Sequence, residues 1–167
     1  MKVITIRQLF LLMFLACMSL LGAAYYFEYV MYLEPCPLCV MQRIAVLLVG
    51  LVSLSGFILG LEGIKQKMHS VLLFVTASFG LFVAGRHIWI QSLPADQVPT
   101  CGPSLDYMVD TLPWAEVLTI MLRGNGNCAE AHWSFIGLSM PTWVLVWFVG
   151  FMIVSIILFV TGNKKSK

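Results

Sequence analysis

Residues 34–61 read EPCPLCVMQRIAVLLVGLVSLSGFILGL. From Ile44 to Leu61 no charged residue interrupts the run, and its length falls within the roughly 17–25 apolar residues that cross the hydrocarbon core of a bilayer. Directly ahead of it stand a close cysteine pair, Cys36 and Cys39, and Arg43. The fold turns on whether this run spans a membrane, and the function on what the cysteine pair does at its mouth.

Working outward, three more stretches have spanning length, about 9–27, 70–90 and 140–161. The whole chain of 167 residues is 60% hydrophobic and 11% charged, with a mean hydropathy of +0.91, whereas soluble domains carry about 25% charge. In lipid only helices and closed barrels satisfy the backbone, and runs this long are not barrel strands. The expectation is an all-α integral membrane protein: a single four-transmembrane-helix bundle over 1–167, with outer loops of about 28–43 and 91–139 and spans of about 9–27, 44–61, 70–90 and 140–161. A net charge of +2 gives no footprint for nucleic acid.

Basic residues mark the cytoplasmic ends of spans. Lys2 and Arg7 precede the first, Lys65 and Lys67 lie between the second and third, and Lys164, Lys165 and Lys167 follow the fourth. Glu28, Glu34, Asp96, Asp106, Asp110, Glu116 and Glu130 fall on the opposite side. Both termini are thus expected inside and both longer loops outside. A cleavable signal peptide ending near Gly22-Ala23-Ala24 is the competing reading, but its apolar region would exceed the usual roughly 7–15 residues.

Within the long loop, LPWAEVLTIML (112–122) is apolar yet too short to span. It suits an interfacial helix with Pro113 in its first turn, or equally a helix packed on the bundle mouth. GNGN (124–127) turns the chain before Cys128.

Of five cysteines, Cys17 falls inside the first span as a packing residue, and Cys36, Cys39, Cys101 and Cys128 fall in the outer loops. In an oxidising compartment such cysteines suggest disulfides first. Zinc is the alternative, but 26 residues separate Cys101 from Cys128, so there is no second knuckle, and His132 has no partner histidine; no metal is expected. A bond across Cys36 and Cys39 closes too small a loop to stabilise much, so that pair reads as redox-active rather than structural. If the second helix starts near Pro37, the helix dipole and Arg43 one turn on favour a Cys39 thiolate. Arg43 alone also suits an interfacial anchor. Arg86 and His87, charged or titratable within the third span, point to a buried function by their cost and, with Arg43, suggest a polar pocket. No nucleotide fingerprint is present, so the electron acceptor is expected to be membrane-soluble, and a lipid quinone fits the location.

EPCPLCVMQR (34–43), the four spans with cysteines in both outer loops, and CAEAHWSFIGLSMPTW (128–143) together resemble the DsbB family of bacterial disulfide bond formation proteins over nearly the whole chain. The resemblance implies a multi-pass protein of the bacterial inner membrane. Cys101 and Cys128 would oxidise a DsbA-type thioredoxin-fold oxidase, and Cys36 and Cys39 would pass the electrons to ubiquinone or menaquinone. It further implies that the partner attacks Cys101, that Cys128 can pair with Cys36, and that Cys39 lies beside the quinone with Arg43 and His87. Gln42 departs from the acid found there in some members. The DsbA–DsbB–quinone route is established as what keeps the periplasm oxidising, and DsbA, at about −120 mV, is too strong an oxidant for glutathione to regenerate. A vitamin K epoxide reductase-type enzyme is set apart by its close pair in a late span, and a tetraspan protein with merely structural disulfides remains the non-enzymatic alternative.

Overall fold

The computed structural model describes residues 5–94, 96–102, 105–129 and 134–164; Lys2, Glu130, His132, Trp133, Lys165 and Lys167 lie outside these. Four long helices are apolar enough to cross a membrane: α1 (Ile6–Tyr29), α2 (Pro37–Leu59), α3 (Gly63–Gln91) and, last in the chain, α6 (Met140–Lys164). The first two begin where local chemistry satisfies their first amides. Thr5 and Gln8 form a reciprocal capping box on α1, and α2 opens with Pro37 behind Cys36 as N-cap, a position where the missing proline N–H costs nothing. Gly60, at φ 56°, ends α2 in the left-handed conformation that side chains disfavour, so that α3 turns straight back.

The helices run antiparallel to their chain neighbours. Arg7 Nε donates to Phe57 O at 3.2 Å, joining the start of α1 to the end of α2. Gln66 Nε2 donates to Leu158 O at 2.6 Å, joining the start of α3 to the end of α6. Small residues allow close approach, as expected where lipid offers no hydrophobic drive between helices. Gly80 of α3 faces the Phe148 ring of α6, Gly56 of α2 faces Phe10 of α1, and Gly50 faces Cys17. Cys17 is fully buried in this core with Phe10, Val49, Ala77 and Phe148, and so packs as an apolar residue.

The long segment between α3 and α6 folds back over one end of the bundle. It contains α4 (Leu105–Thr111), α5 (Trp114–Arg123), a 3-10 turn (Gly126–Cys128) and a hairpin of two-residue strands, β1 (Ser134–Phe135) and β2 (Leu138–Ser139). α5 has one face in each predicted environment: Val117 and Met121 are buried against Leu38, Met41 and Ile90, while Trp114 and Leu118 are exposed. Pro113 is its N-cap rather than a first-turn residue. Gly124, at φ 73°, leaves space filled by Leu38 and Ile90, either of which would lie 2.7 Å from a Cβ there. The chain can therefore descend onto the bundle just before Cys128.

α1, α2 and α3 begin ahead of the expected spans. α2 begins at Pro37 and not at Ile44 and ends at Leu59, and α3 begins at Gly63 rather than Ser70 and continues, as expected, through Arg86 and His87 to Gln91. The earlier start of α2 draws Cys39, Gln42 and Arg43 into regular helix at the bundle mouth, on the level of His87.

Candidate functional site

Cys36 holds the centre of the site because it is the N-cap of α2. Its Sγ accepts from the Cys39 amide at 3.3 Å, which draws the side chain over the first helical turn and brings it 3.0 Å from the Cys39 Sγ. On the other side, the Gly124 bend and the 3-10 turn deliver Cys128, fully buried, to the same point. The sulfur atoms of Cys36 and Cys128 and a ring nitrogen of His87 all lie within 4.8 Å of one another. Spacing along the chain hid this grouping, since its members come from a helix cap, a mid-helix position and a loop.

His87 is 2% exposed and bonded at both nitrogens. Nε2 lies 3.1 Å from the Cys128 carbonyl and 3.8 Å from Cys36 Sγ; Nδ1 lies 3.1 Å from Gln42 Nε2. A carbonyl only accepts, so Nε2 carries the proton and Nδ1 accepts from the Gln42 amide. Gln42 is itself buried. Sequence reading noted it as a departure from an acid and missed its partner.

Outside the membrane-spanning helices, the two thiols nearest this histidine have opposite tendencies. Cys128 is lowered to about 6 from the ordinary 9.0, first because the Cys36 thiol hydrogen-bonds it, with backbone bonds and His87 adding to that against the cost of burial. Cys36 is raised, first by its hydrogen bond to Cys128, then by that to Cys39 and by burial. Both shifts favour a proton on Cys36 and a thiolate on Cys128 in the reduced centre.

Arg43 and His87 border one open cleft between α1, α2, α3 and α6, lined also by Cys36, Cys39, Gln42 and Gln91, with Leu20, Leu21, Phe27, Val46 and Val144 supplying an apolar remainder. Arg43 pairs with Glu28, donates from Nη2 to Ala24 O at 3.2 Å, and lies 5.3 Å from the centre of the Tyr25 ring. It is thus anchored to α1 as well as α2. Glu28 entered the sequence reading only as part of the charge asymmetry, although an acid and a base bracketing one short loop at lipid depth are natural partners.

Arg86 does not join this group. It lies outside the cleft, where its Nε donates to Arg123 O at 3.3 Å and its guanidinium stacks 4.4 Å from the Trp89 ring. Adjacent residues on a helix diverge by about 100°, so burying His87 toward α2 necessarily swings Arg86 away.

Cys101 is exposed, yet its backbone is tied to the Cys128 turn. Gly126 N donates to Thr100 O at 3.2 Å, and a Cβ on Gly126 would lie 3.0 Å from Cys101 Sγ. Asn125, 5% exposed, packs its amide against Gly102 with its Oδ1 3.8 Å from Cys128 Sγ. Its Nδ2 has no hydrogen-bond partner among the described residues. A half turn of this amide would direct the orphaned donor at the Cys128 sulfur, an assignment that follows from the bonding pattern.

An exposed cysteine tied through its backbone to the turn of a buried one, with the Cys36 N-cap and Cys39 behind them, is an arrangement capable of thiol–disulfide exchange. Known proteins with this sequence pattern are consistent with that chemistry. The family model described as "Disulfide bond formation protein DsbB" matches residues 6–158. The chain is 55% identical over 144 residues to disulfide bond formation protein B of Marinobacter nauticus, covering 86% of each chain. It is 50% identical over 148 residues to that of Hahella chejuensis, covering 89% of this chain and 90% of the relative. With disulfide bond formation protein B 1 of Pseudomonas aeruginosa it shares 47% identity over 154 residues, covering 92% and 94%. The chain, a multi-pass membrane bundle with four of its five cysteines toward one end, belongs to the DsbB family of disulfide bond formation proteins.

Proposed function

We propose that this protein is a quinone-dependent thiol oxidase of the bacterial inner membrane. It reoxidises a periplasmic DsbA-type thioredoxin-fold dithiol oxidase and passes the electrons through two cysteine pairs to a membrane quinone. The observation that carries the reading is the position of Cys36 Sγ, in contact with Cys39 on the cleft side and grouped with Cys128 on the loop side. With the bases Arg7, Lys65 and Lys67 at the far end of the bundle, the positive-inside rule assigns both termini to the cytoplasm and the cysteine end to the periplasm.

In the proposed relay, a partner thiolate attacks the exposed Cys101 of a Cys101–Cys128 disulfide and expels the Cys128 thiolate. The partner's second thiol resolves the mixed disulfide, leaving with its own disulfide and returning Cys101 as a thiol. Cys128 attacks Cys36 of the Cys36–Cys39 disulfide and frees Cys39 as a thiolate facing the cleft. Re-forming both disulfides passes two electrons and two protons to the quinone for each dithiol oxidised. The cleft suits that substrate: its apolar walls match an isoprenoid tail, and the Arg43 guanidinium supplies donors for a ring carbonyl, with His87 bordering the same cleft. A bound quinone supplies the terminal two-electron acceptor.

The test is anaerobic. Purified protein is reduced, freed of reductant and mixed with a ubiquinone analogue while thiols and quinone absorbance are followed. Stoichiometric thiol loss and quinone reduction are expected, abolished by Cys39→Ser. Cys101→Ser should keep one quinone reduction by the first pair while stopping partner turnover. Thiols indifferent to quinone would overturn the proposal.

A further inference from the structure

We propose that the fully reduced centre is also a binding site for a soft divalent cation of the zinc type, with Cys36, Cys128 and His87 as ligands and Cys39 as the fourth. All of the first three are buried, and their ligating atoms already lie within 4.8 Å of one another; Cys39 Sγ is 3.0 Å from Cys36 Sγ. Tetrahedral zinc with ordinary bond lengths needs sulfur–sulfur separations of about 3.8 Å and sulfur–nitrogen separations of about 3.6 Å. The Cys36 Sγ to His87 Nε2 distance of 3.8 Å already meets that. Among these three, Cys128 needs to draw in by at most about 1 Å; Cys39, which lies outside the 4.8 Å group, must open its 3.0 Å contact with Cys36 and turn its side chain to take the fourth position. Thiolate and imidazole together are the donor set that selects zinc and cadmium over the hard cations.

The second observation concerns Gln42. A ligating histidine needs its other nitrogen held by a hydrogen-bonding partner, and the Gln42 amide lies 3.1 Å from His87 Nδ1. At present Nε2 carries the proton. Ligation moves it to Nδ1, and a half turn of the Gln42 amide presents its oxygen to accept it, so this side chain serves both tautomers. Binding is a proton exchange: the thiol protons leave as the sulfur–metal bonds form, and no electron moves. The disulfide forms offer no thiolates and therefore no site.

Capture rests on geometry alone; its consequence rests on the oxidase reading. A cation held by Cys36, Cys39 and Cys128 would fix the centre in its reduced state and stop the next transfer to quinone. Anaerobically reduced full-length protein in detergent is titrated with Cd2+, followed by sulfur-to-cadmium charge-transfer absorbance, with Zn2+ as competitor. A single Cd2+ per chain is expected for the reduced protein and none for the oxidised one. Cys128→Ser and His87→Gln should weaken binding by more than the about 10- to 100-fold that loss of an outer partner costs, and Gln42→Leu by about that amount. Gln42→Glu should tighten it, because a carboxylate raises the basicity of the histidine, and a gain of affinity cannot come from misfolding. Cys101→Ser, outside the cluster, should leave it unchanged. Absence of uptake by the reduced wild type, or uptake indifferent to Cys128→Ser and His87→Gln, would overturn the site. Quinone reduction by the same preparations separates the two ideas: uptake without quinone reduction sinks the oxidase alone, and quinone reduction without uptake sinks the cation site alone.

Discussion

Gly126→Ala should uncouple the outer cysteine pair from the inner one. A Cβ at this position would lie 2.5 Å from Pro99 O and 3.0 Å from both the amide nitrogen and Sγ of Cys101. Two of these three atoms belong to the backbone and have no rotamer to escape into. Restoring an ordinary contact, which begins at 3.4 Å, requires the 99–101 segment to retreat by about 0.9 Å. That displacement strains the bond from Gly126 N to Thr100 O, worth about 0.5–1.5 kcal/mol, on top of an overpacking cost of about 1–3 kcal/mol. A misplacement near 1 Å in a reacting pair slows a reaction by as much as about 100-fold. Oxidation of a reduced DsbA-type partner, followed through quinone absorbance in steady state, should therefore fall by about 10- to 100-fold. Single-turnover quinone reduction by the Cys36–Cys39 dithiol, which the retreat does not touch, should be preserved. The reasoning is refuted if the variant turns the partner over at the wild-type rate, or if both reactions fall together.

Glu28→Gln removes the charge that anchors Arg43 to α1. A hydrogen bond to a charged group contributes about 1.5–3 kcal/mol, so the KM for a quinone analogue should rise by about tenfold or more, while alkylation of Cys101 stays unaltered. In anaerobically reduced protein, pH-dependent alkylation of Cys128, read by peptide mass spectrometry, should have its midpoint near 6 rather than 9.0. The sign follows from a depressed pKa: the reactive thiolate is present above the midpoint and lost as pH falls through it. Cys36→Ala, which removes the leading cause of the depression, should move that midpoint upward. Asn125→Asp sets a carboxylate where Oδ1 now lies 3.8 Å from Cys128 Sγ; like charge and a lost donor should raise the midpoint, and a fixed midpoint would remove the amide from any part in stabilising the thiolate.

Much of this was legible in the chain because membranes impose simple rules. Ile44–Leu61 has the length and apolarity of a span, and a helix start at Pro37 was legible as the condition that would put Cys39 in a first turn, which α2 meets. What distance along the chain cannot convey is which side chains meet when segments remote in sequence converge. His87 and Arg86 carry the same sequence signal, a costly polar group within a span, and only helix rotation separates them: His87 turns to Cys36 and Cys128, Arg86 to Arg123 and Trp89. Glu28 and Gln42 were visible as letters, but their roles depend on partners supplied by other helices. Asn125 was visible only as a turn former, and its orphaned amide is a fact of burial.

Under the proposed relay, the arrangement of Cys36 accounts for the use of a disulfide of little structural value at this place. As an N-cap it has extended backbone dihedrals and stands ahead of the helix, so its side chain has more freedom than one within the regular turns. Its Sγ lies 3.0 Å from one partner sulfur and within 4.8 Å of the other, against about 2.05 Å in a formed bond. Exchanging partners thus needs side-chain rotation and a small drift of the Cys128 turn, with α2 itself fixed. Because the small loop closed by Cys36 and Cys39 restricts little of the unfolded chain, breaking that bond leaves the bundle intact: its core lies below, among Phe10, Val49, Leu73, Ala77 and Phe148. Stability and redox change are thereby assigned to different layers of the molecule. Under the proposed relay, the centre can be oxidised and reduced repeatedly without the membrane helices having to move.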